Sequence, residues 1–277
     1  MLCAKELVVM KYLRAAVRGG LRQARQFWLI LPLYVVGLVL GLVQTWPLLV
    51  AGSRGGLYNP FLGELAAGGT DIALDLLIGS PAARTQALAW AGVALLLTLL
   101  FGLAYTYCSG GMLNVAAGML PFWAGCQRFF WSFLGLGALL VALAALVIVI
   151  ASLCGLWLGG AGPGLIVGLL LIQALNIIGE YARAIAVARN RRNPFVLFGA
   201  ALAFCLRHPG GVLALGLLGL LLHSGVAVLA IGLANLPLAA GALVVQQIIV
   251  LLWLWVKLLR LSWALSYVAI SSGIQVA

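Results

Sequence analysis

Six long apolar runs leave this chain very few ways to fold. They cover about residues 27–50, 86–108, 131–158, 163–188, 212–234 and 241–270. Each reaches the roughly 20 residues that a helix needs to cross a hydrocarbon layer of about 30 Å. Inside lipid every backbone donor and acceptor must find its partner within the segment, which selects helices. The expectation is an all-α, polytopic membrane protein of six transmembrane helices with added interfacial amphipathic helices. Composition agrees: 8% of the 277 residues are charged and 65% hydrophobic, with a mean hydropathy of +1.20. Soluble domains are about 25% charged, so a water-soluble enzyme is not expected. The longest stretch without a span, 51–85, is too short for an ordinary soluble domain.

Turn chemistry orders the runs. Gly159, Gly160 and Pro163 predict a tight turn between the third and fourth spans, and Asn235 and Pro237 another between the fifth and sixth. The spans therefore read as three hairpins. The third and sixth runs are long enough to tilt or to enter the headgroups. The first run begins near Phe27 behind six cationic residues, which reads as a retained helix and not as a cleaved leader.

Charge sets the orientation. With the N-terminus inside, fourteen cationic residues fall on the inner side (Lys5, Lys11, Arg14, Arg18, Arg22, Arg25, Arg128, Arg183, Arg189, Arg191, Arg192, Arg207, Lys257 and Arg260), and only Arg54 and Arg84 fall outside. The positive-inside rule then predicts that both termini are cytoplasmic. Residues 1–26 form their own cytoplasmic segment, and 27–277 a single six-helix membrane domain. Lys11, Arg14, Arg18, Arg22 and Arg25 are spaced 3, 4, 4 and 3, which places them on one helical face. Such a helix suits an anionic leaflet, with Gly19 and Gly20 allowing a bend. Further interfacial segments are expected at 51–85 outside and at 109–130 and 189–211 inside. Glu64, Asp71 and Asp75 fall in the outer one, where a solvated face accounts for them. Basic-aromatic lead-ins at 22–28, 126–131 and 205–211 hint at a threefold internal repeat.

These lead-ins, Gly110–Gly111 after the second span, and EYARAIAVAR at 180–189 followed by LRHPGG at 206–211 carry a resemblance. The chain resembles poorly characterised bacterial six-span families, such as the membrane domain that accompanies some glycerophosphodiester phosphodiesterases. That resemblance implies a fold. It implies no activity, because no phosphodiesterase catalytic domain is present.

Few residues are candidates for function. Glu180 lies about 17 residues into the fourth span, and Lys257 and Arg260 about 16 and 19 residues into the sixth, which runs the same way. At 1.5 Å per residue these depths match. A lone charge there is costly, so Glu180 should pair with Lys257 or Arg260 as a structural lock, or with Arg183 on its own helix. Gln173 and Asn176 could line a small polar pocket. His223 lies near mid-membrane and could ligate haem iron or the magnesium of a chlorophyll, although a hydrogen bond to a neighbouring helix is the commoner role. No cofactor is otherwise expected. His208 is 15 residues away, roughly 22 Å along a helix, which disfavours a bis-histidine haem. Arg14, Arg18, Arg22, Arg25, Arg189, Arg191, Arg192 and Arg207 are candidate contacts for anionic lipid. The basic residues hug the spans, so the membrane explains them and nucleic acid is not an expected partner.

Five scattered cysteines (Cys3, Cys108, Cys126, Cys154 and Cys205) make no metal or disulfide pattern. Hydrolase, phosphate-loop and zinc motifs are missing too. GxxxG spacings at Gly37/Gly41, Gly155/Gly159 and Gly164/Gly168 offer close helix contacts. Trp28, Trp46, Trp90, Trp131, Trp157 and Trp263 fall near expected interfaces, while Trp253 and Trp255 lie deeper. The expected function is a noncatalytic scaffold or accessory subunit of a larger membrane complex, touching other subunits or its own copies. The alternative is a lipid- or hydrophobe-handling, permease-like protein. An enzyme would have to assemble His208, Cys205 and a distant acid.

Overall fold

A computed structural model describes residues 2–40, 81–119, 121–157, 161–234 and 242–273. Expectations for the outer segment 51–80, for Gly41, Trp46 and Gly159, and for the turn at Asn235–Pro237 fall outside those residues. The described residues are helical and contain no strand. In chain order they form α1 (Leu2–Ala24), α2 (Trp28–Leu40, opening with a 3-10 turn), α3 (Pro81–Ala116) and α4 (Phe122–Trp157). There follow α5 (Ala161–Ala188), α6 (Pro194–Arg207), α7 (Pro209–Ala234) and α8 (Ala242–Ser271). Five are long and apolar enough to cross a membrane, and a sixth span results if α1 and α2 count as one broken span.

Contacts group the chain into two compact units. Met1–Pro32 cluster with Thr106–Ala277, and Leu33–Tyr105 form a second compact unit. In the smaller unit Gly37 lies against Phe101, where an added Cβ would come within 3.3 Å of the ring. Leu95, Leu96, Leu99 and Leu103 of α3 are exposed, as a lipid-facing helix requires.

In the larger unit the core sits at one end of the helices. α4 has 36 residues, a length of about 54 Å at 1.5 Å per residue, well beyond a hydrocarbon layer. Its N-terminal part is buried through Cys126, Phe129, Phe133 and Leu136, while Val141, Leu146, Ile148 and Leu153 are exposed farther along. α5 reverses this order because it runs the other way: Leu165, Ile166 and Leu169 are exposed, and Tyr181 to Val187 are largely buried. The packed end also holds the small polar core residues Ser109, Asn114, Ser132, Ser262 and Ser266.

Specific contacts tie the ends together. Gly125 of α4 meets Asn114 of α3, Gly135 meets Pro194 of α6, and Gly211 of α7 accommodates the Tyr267 ring of α8. Asn190 caps α5 in the left-handed region at φ 51°, a conformation its short polar side chain tolerates. Its Oδ1 accepts two hydrogen bonds from Arg128, 3.1 Å from Nε and 2.8 Å from Nη2. Most of 109–130 lies in the ends of two long helices. α3 continues to Ala116 and α4 starts at Phe122, so the two helices simply extend beyond the spans.

Gly155, Gly164 and Gly168 pack inside the molecule. A Cβ on Gly164 would clash with the Ala151 carbonyl and lie 2.9 Å from Gly155 Cα, and one on Gly168 would lie 3.0 Å from Ala151 Cβ. The α4–α5 hairpin is thus zipped by small residues at its apolar end. Gly19 and Gly20 do not bend α1, which is continuous through both. They let it lie against α8 instead. Ala16, Gly20 and Ala24, four residues apart, form its buried stripe. A side chain on Gly20 would run into Trp263, and Trp255 Nε1 donates to the Ala24 carbonyl at 3.1 Å. Trp263 is consequently a core residue and not part of an interfacial belt, whereas Trp131 and Trp157 are exposed.

Candidate functional site: a buried ion pair at the basic end

The Glu180 carboxylate receives Arg260 as a fork. Arg260 Nη2 is 2.8 Å from Oε1, and Nε donates to Oε2 at 3.3 Å. The two side chains are 7% and 14% exposed, so each charge depends on the other. Glycine makes the meeting possible. The arginine stem crosses α7 at Gly219, where a Cβ would lie 2.8 Å from Arg260 Cδ. The pairing of spans four and six is as the sequence suggests, but Arg260 is the partner found.

Lys257 takes another direction. Its Nζ lies 4.2 Å from the centre of the Trp253 ring, four residues back on α8, a cation–π arrangement. Arg183 and Lys257 remain within electrostatic reach of Glu180. The group thus consists of one carboxylate and three cations.

A small cavity of about 10 Å³ adjoins the pair, lined by Ile177, Glu180, Tyr181, Leu215, Gly216, Arg260, Trp263 and Ala264. Gln173 and Asn176 do not line it. Asn176 is on the exposed side of α5, and Gln173 is half-buried. Below the pair an aromatic cluster fills the junction of α5, α6 and α8. Tyr181 stacks on Phe204 at 5.5 Å, Phe204 on His208 at 4.6 Å, and Tyr267 stands edge-on to all three.

His223 bonds within its own helix. Nδ1 is 2.9 Å from the Gly219 carbonyl. A carbonyl only accepts, so Nδ1 carries the hydrogen and Nε2 is the atom that a metal would take. The ring stands edge-on to Trp253 at 6.2 Å. Among the described residues no three histidine, cysteine or acidic side chains converge as a metal site. A haem or pigment at His223 would rest on that single nitrogen.

His208 is held in the aromatic stack, and its Nδ1 lies 3.2 Å from the Phe204 carbonyl. Burial pushes the Cys205 thiol up to about 11, so the thiolate that a nucleophile needs is scarce at neutral pH.

The lipid candidates are surface residues. Arg14, Arg18 and Arg22 are exposed on α1 and Arg25 just after it, as are Arg189, Arg191, Arg192 and Arg207 around α6. Asn193 caps α6 by accepting from the Phe195 and Val196 amides at 3.0 and 3.3 Å, with Pro194 in the first turn. Leu197, Ala201 and Phe204 then face the bundle, while Phe195 and Leu206 are 71% and 72% exposed. The glycines of α7 and the small stripe of α1 carry no polar or charge signal that would mark their contacts in the sequence.

No family model, curated protein or solved structure matches this chain.

Proposed function

We propose that the protein is a noncatalytic membrane component that holds anionic phospholipid headgroups at its basic end. We place that end at the cytoplasmic face of a bacterial inner membrane, with both termini inside. The observation that carries the reading is α6. It turns Phe195 and Leu206 outward between exposed Arg191 and Arg192 at one end and Arg207 at the other. An apolar face flanked by arginines is costly in water and suited to the boundary between headgroups and acyl chains.

α1 adds to this in part. Gly19 lies by Ser266, Gly20 by Trp263 and Ala24 by Trp255, so α1 runs along α8 in the opposite direction. Its cationic row then descends toward the membrane, with Arg22 and Arg25 nearest the headgroups and Lys11 farthest away.

The test is reconstitution in nanodiscs of mixed phosphatidylcholine and phosphatidylglycerol, followed by native mass spectrometry of the retained lipid. The wild type should enrich the anionic lipid. The triple variant Arg191→Gln/Arg192→Gln/Arg207→Gln should lose at least about tenfold, at roughly 1 kcal/mol per basic residue. Equal lipid profiles would sink the reading. Flux or turnover by the pure chain in liposomes, lost on substituting Glu180 or Asn176, would overturn the noncatalytic part.

An accessory-subunit role is the second reading. Gly137 of α4 and Gly225 of α7 favour it, because both open onto empty space where a partner helix could approach. Stoichiometric partners on gentle purification from native membranes, with no enriched lipid, would bring it to the front.

A further inference from the structure

We propose that Lys257 and Arg183 bind the phosphate of one anionic lipid, held in a groove on α8 between α5 and α7. The site goes beyond the surface arginines around α6 and can fail or stand without them. It follows first from charge. α5, α7 and α8 carry Arg183, Lys257 and Arg260 against one acid, Glu180. The other acids of the chain, Glu6, Glu64, Asp71 and Asp75, belong to none of these helices. Arg260 occupies the Glu180 carboxylate as a fork, so positive charge remains in excess. Arg183 and Lys257 are half-buried, lie within electrostatic reach of each other, and both reach Glu180. Like charges gathered away from water are costly, and hydrogen bonds to neutral groups leave the charge in place. An anion between them removes it.

The direction of Lys257 is the second observation. The basic end lies at the C-terminal end of α8, where Arg189 Nη2 is 3.4 Å from the Ser272 hydroxyl. A lysine that seeks water would extend toward that end. Lys257 points the other way, with Nζ over the Trp253 ring one turn back, 4.2 Å from its centre. The ring covers one side of the ammonium. An ammonium has three donors, and those directed off the ring are placed to meet an anion.

The third is a way in from the lipid. Trp253, Lys257, Arg260 and Ala264 follow one another at helical spacing along one face of α8. Arg260 sets that face between Glu180 of α5 and Gly219 of α7, and Trp253 meets His223 of α7 edge-on. α8 packs along both α5 and α7, which touch each other only locally, as where the tip of Ile177 reaches Gly216. Ala264 and Arg260 are buried at the inner end of the row, whereas Lys257 and Trp253 are half-buried. Farther out, Leu169 and Leu170 of α5 and Leu221 and Val228 of α7 are exposed, the apolar surface that an acyl chain needs. An ammonium and a guanidinium side by side suit a phosphate, which accepts from both. The apolar flanks select a lipid as its carrier: a free phosphate would first have to shed its water.

The experiment is native mass spectrometry of the full chain released from nanodiscs of phosphatidylcholine and phosphatidylglycerol, with collisional energy raised stepwise. Lipids on the surface leave first, and the wild type should keep one phosphatidylglycerol. Lys257→Met should lower that one-lipid species at least about tenfold, as expected for a lost charge-assisted hydrogen bond, and Lys257→Arg should retain it. The triple variant Arg191→Gln/Arg192→Gln/Arg207→Gln should retain it too, which separates this site from the surface reading. Retention by Lys257→Met equal to the wild type would overturn the inference, as would loss in the triple variant alone. Thermal unfolding in detergent gives a second readout. Short-chain phosphatidylglycerol should raise the midpoint of the wild type and leave that of Lys257→Met in place; equal shifts in both would overturn the site. An equal shift of the wild type by inorganic phosphate or by a fatty acid would overturn the choice of a lipid phosphate.

Discussion

Glu180→Leu should be among the most damaging single substitutions in this protein, and its effect should be repaired by a second. Arg260 is 7% exposed and meets the carboxylate at 2.8 and 3.3 Å. Removing the acid strands a guanidinium in a packed junction beside Lys257 and Arg183. Breaking a buried pair from one side costs roughly 3–5 kcal/mol, most of it the penalty of the orphaned charge. The pair lies near the expected headgroup boundary, where a long side chain can reach toward water, so the lower figure of about 3 kcal/mol applies. At 2–4 °C per kcal/mol that is a drop of roughly 6–12 °C in the thermal midpoint. Replacing both partners by apolar residues of similar length, Glu180→Leu with Arg260→Met, removes the orphan and should recover most of the loss. The assay is thermal unfolding in detergent for the wild type, both single variants and the double. Two results would refute the argument: an Arg260→Met variant as stable as the wild type, or a double variant whose loss equals the sum of the singles.

Other substitutions test the packing. Gly20→Val should undock α1 from Trp263, costing about 1–3 kcal/mol by overpacking and exposing α1 to limited proteolysis. Unchanged cleavage would contradict the docking. Gly164→Val should destabilise the α4–α5 hairpin, whereas Gly137→Ala, which opens onto empty space, should shift the thermal midpoint by less than about 1 °C. Asn190→Gly keeps the left-handed cap and loses only the Arg128 bonds, while Asn190→Ala loses both. The alanine variant should therefore be the less stable by about 1 kcal/mol in a direct unfolding comparison. Burial raises the Cys205 thiol to about 11, so its protonated form dominates at neutral pH and reactivity increases as pH rises. Alkylation of Cys205 should be slow at pH 7, accelerate steadily through pH 10, and exceed the free-thiol rate at no point in that range. Fast labelling at pH 7 would show an open thiol.

The helical spans were legible because a lipid environment allows few alternatives. A run of 20 or more apolar residues must satisfy its own backbone, whatever surrounds it. The need for Glu180 to find a cation was legible for the same reason: a charge within an apolar run stands out and requires a partner. Which cation it finds was not. Lys257 and Arg260 lie at nearly the same depth, and the choice depends on the rotation of α8, which turns Lys257 onto Trp253 and Arg260 across Gly219.

The tertiary structure also decided the role of the small residues. Glycine spacing reveals that something can come close, but not what does. Gly164 and Gly168 serve their own hairpin, Gly20 admits Trp263, and Gly219 admits an arginine stem. Trp263 shows the converse: by depth it suits an interfacial belt, yet α1 covers it. Hydrophobicity and charge act on each residue separately and along the chain, so the sequence alone determines the spans and the bias of positive charge. Partner choice, buried glycine contacts and the site beside the ion pair depend on helix rotation and docking. Those are set by many weak contacts acting together, and only the folded chain displays their sum.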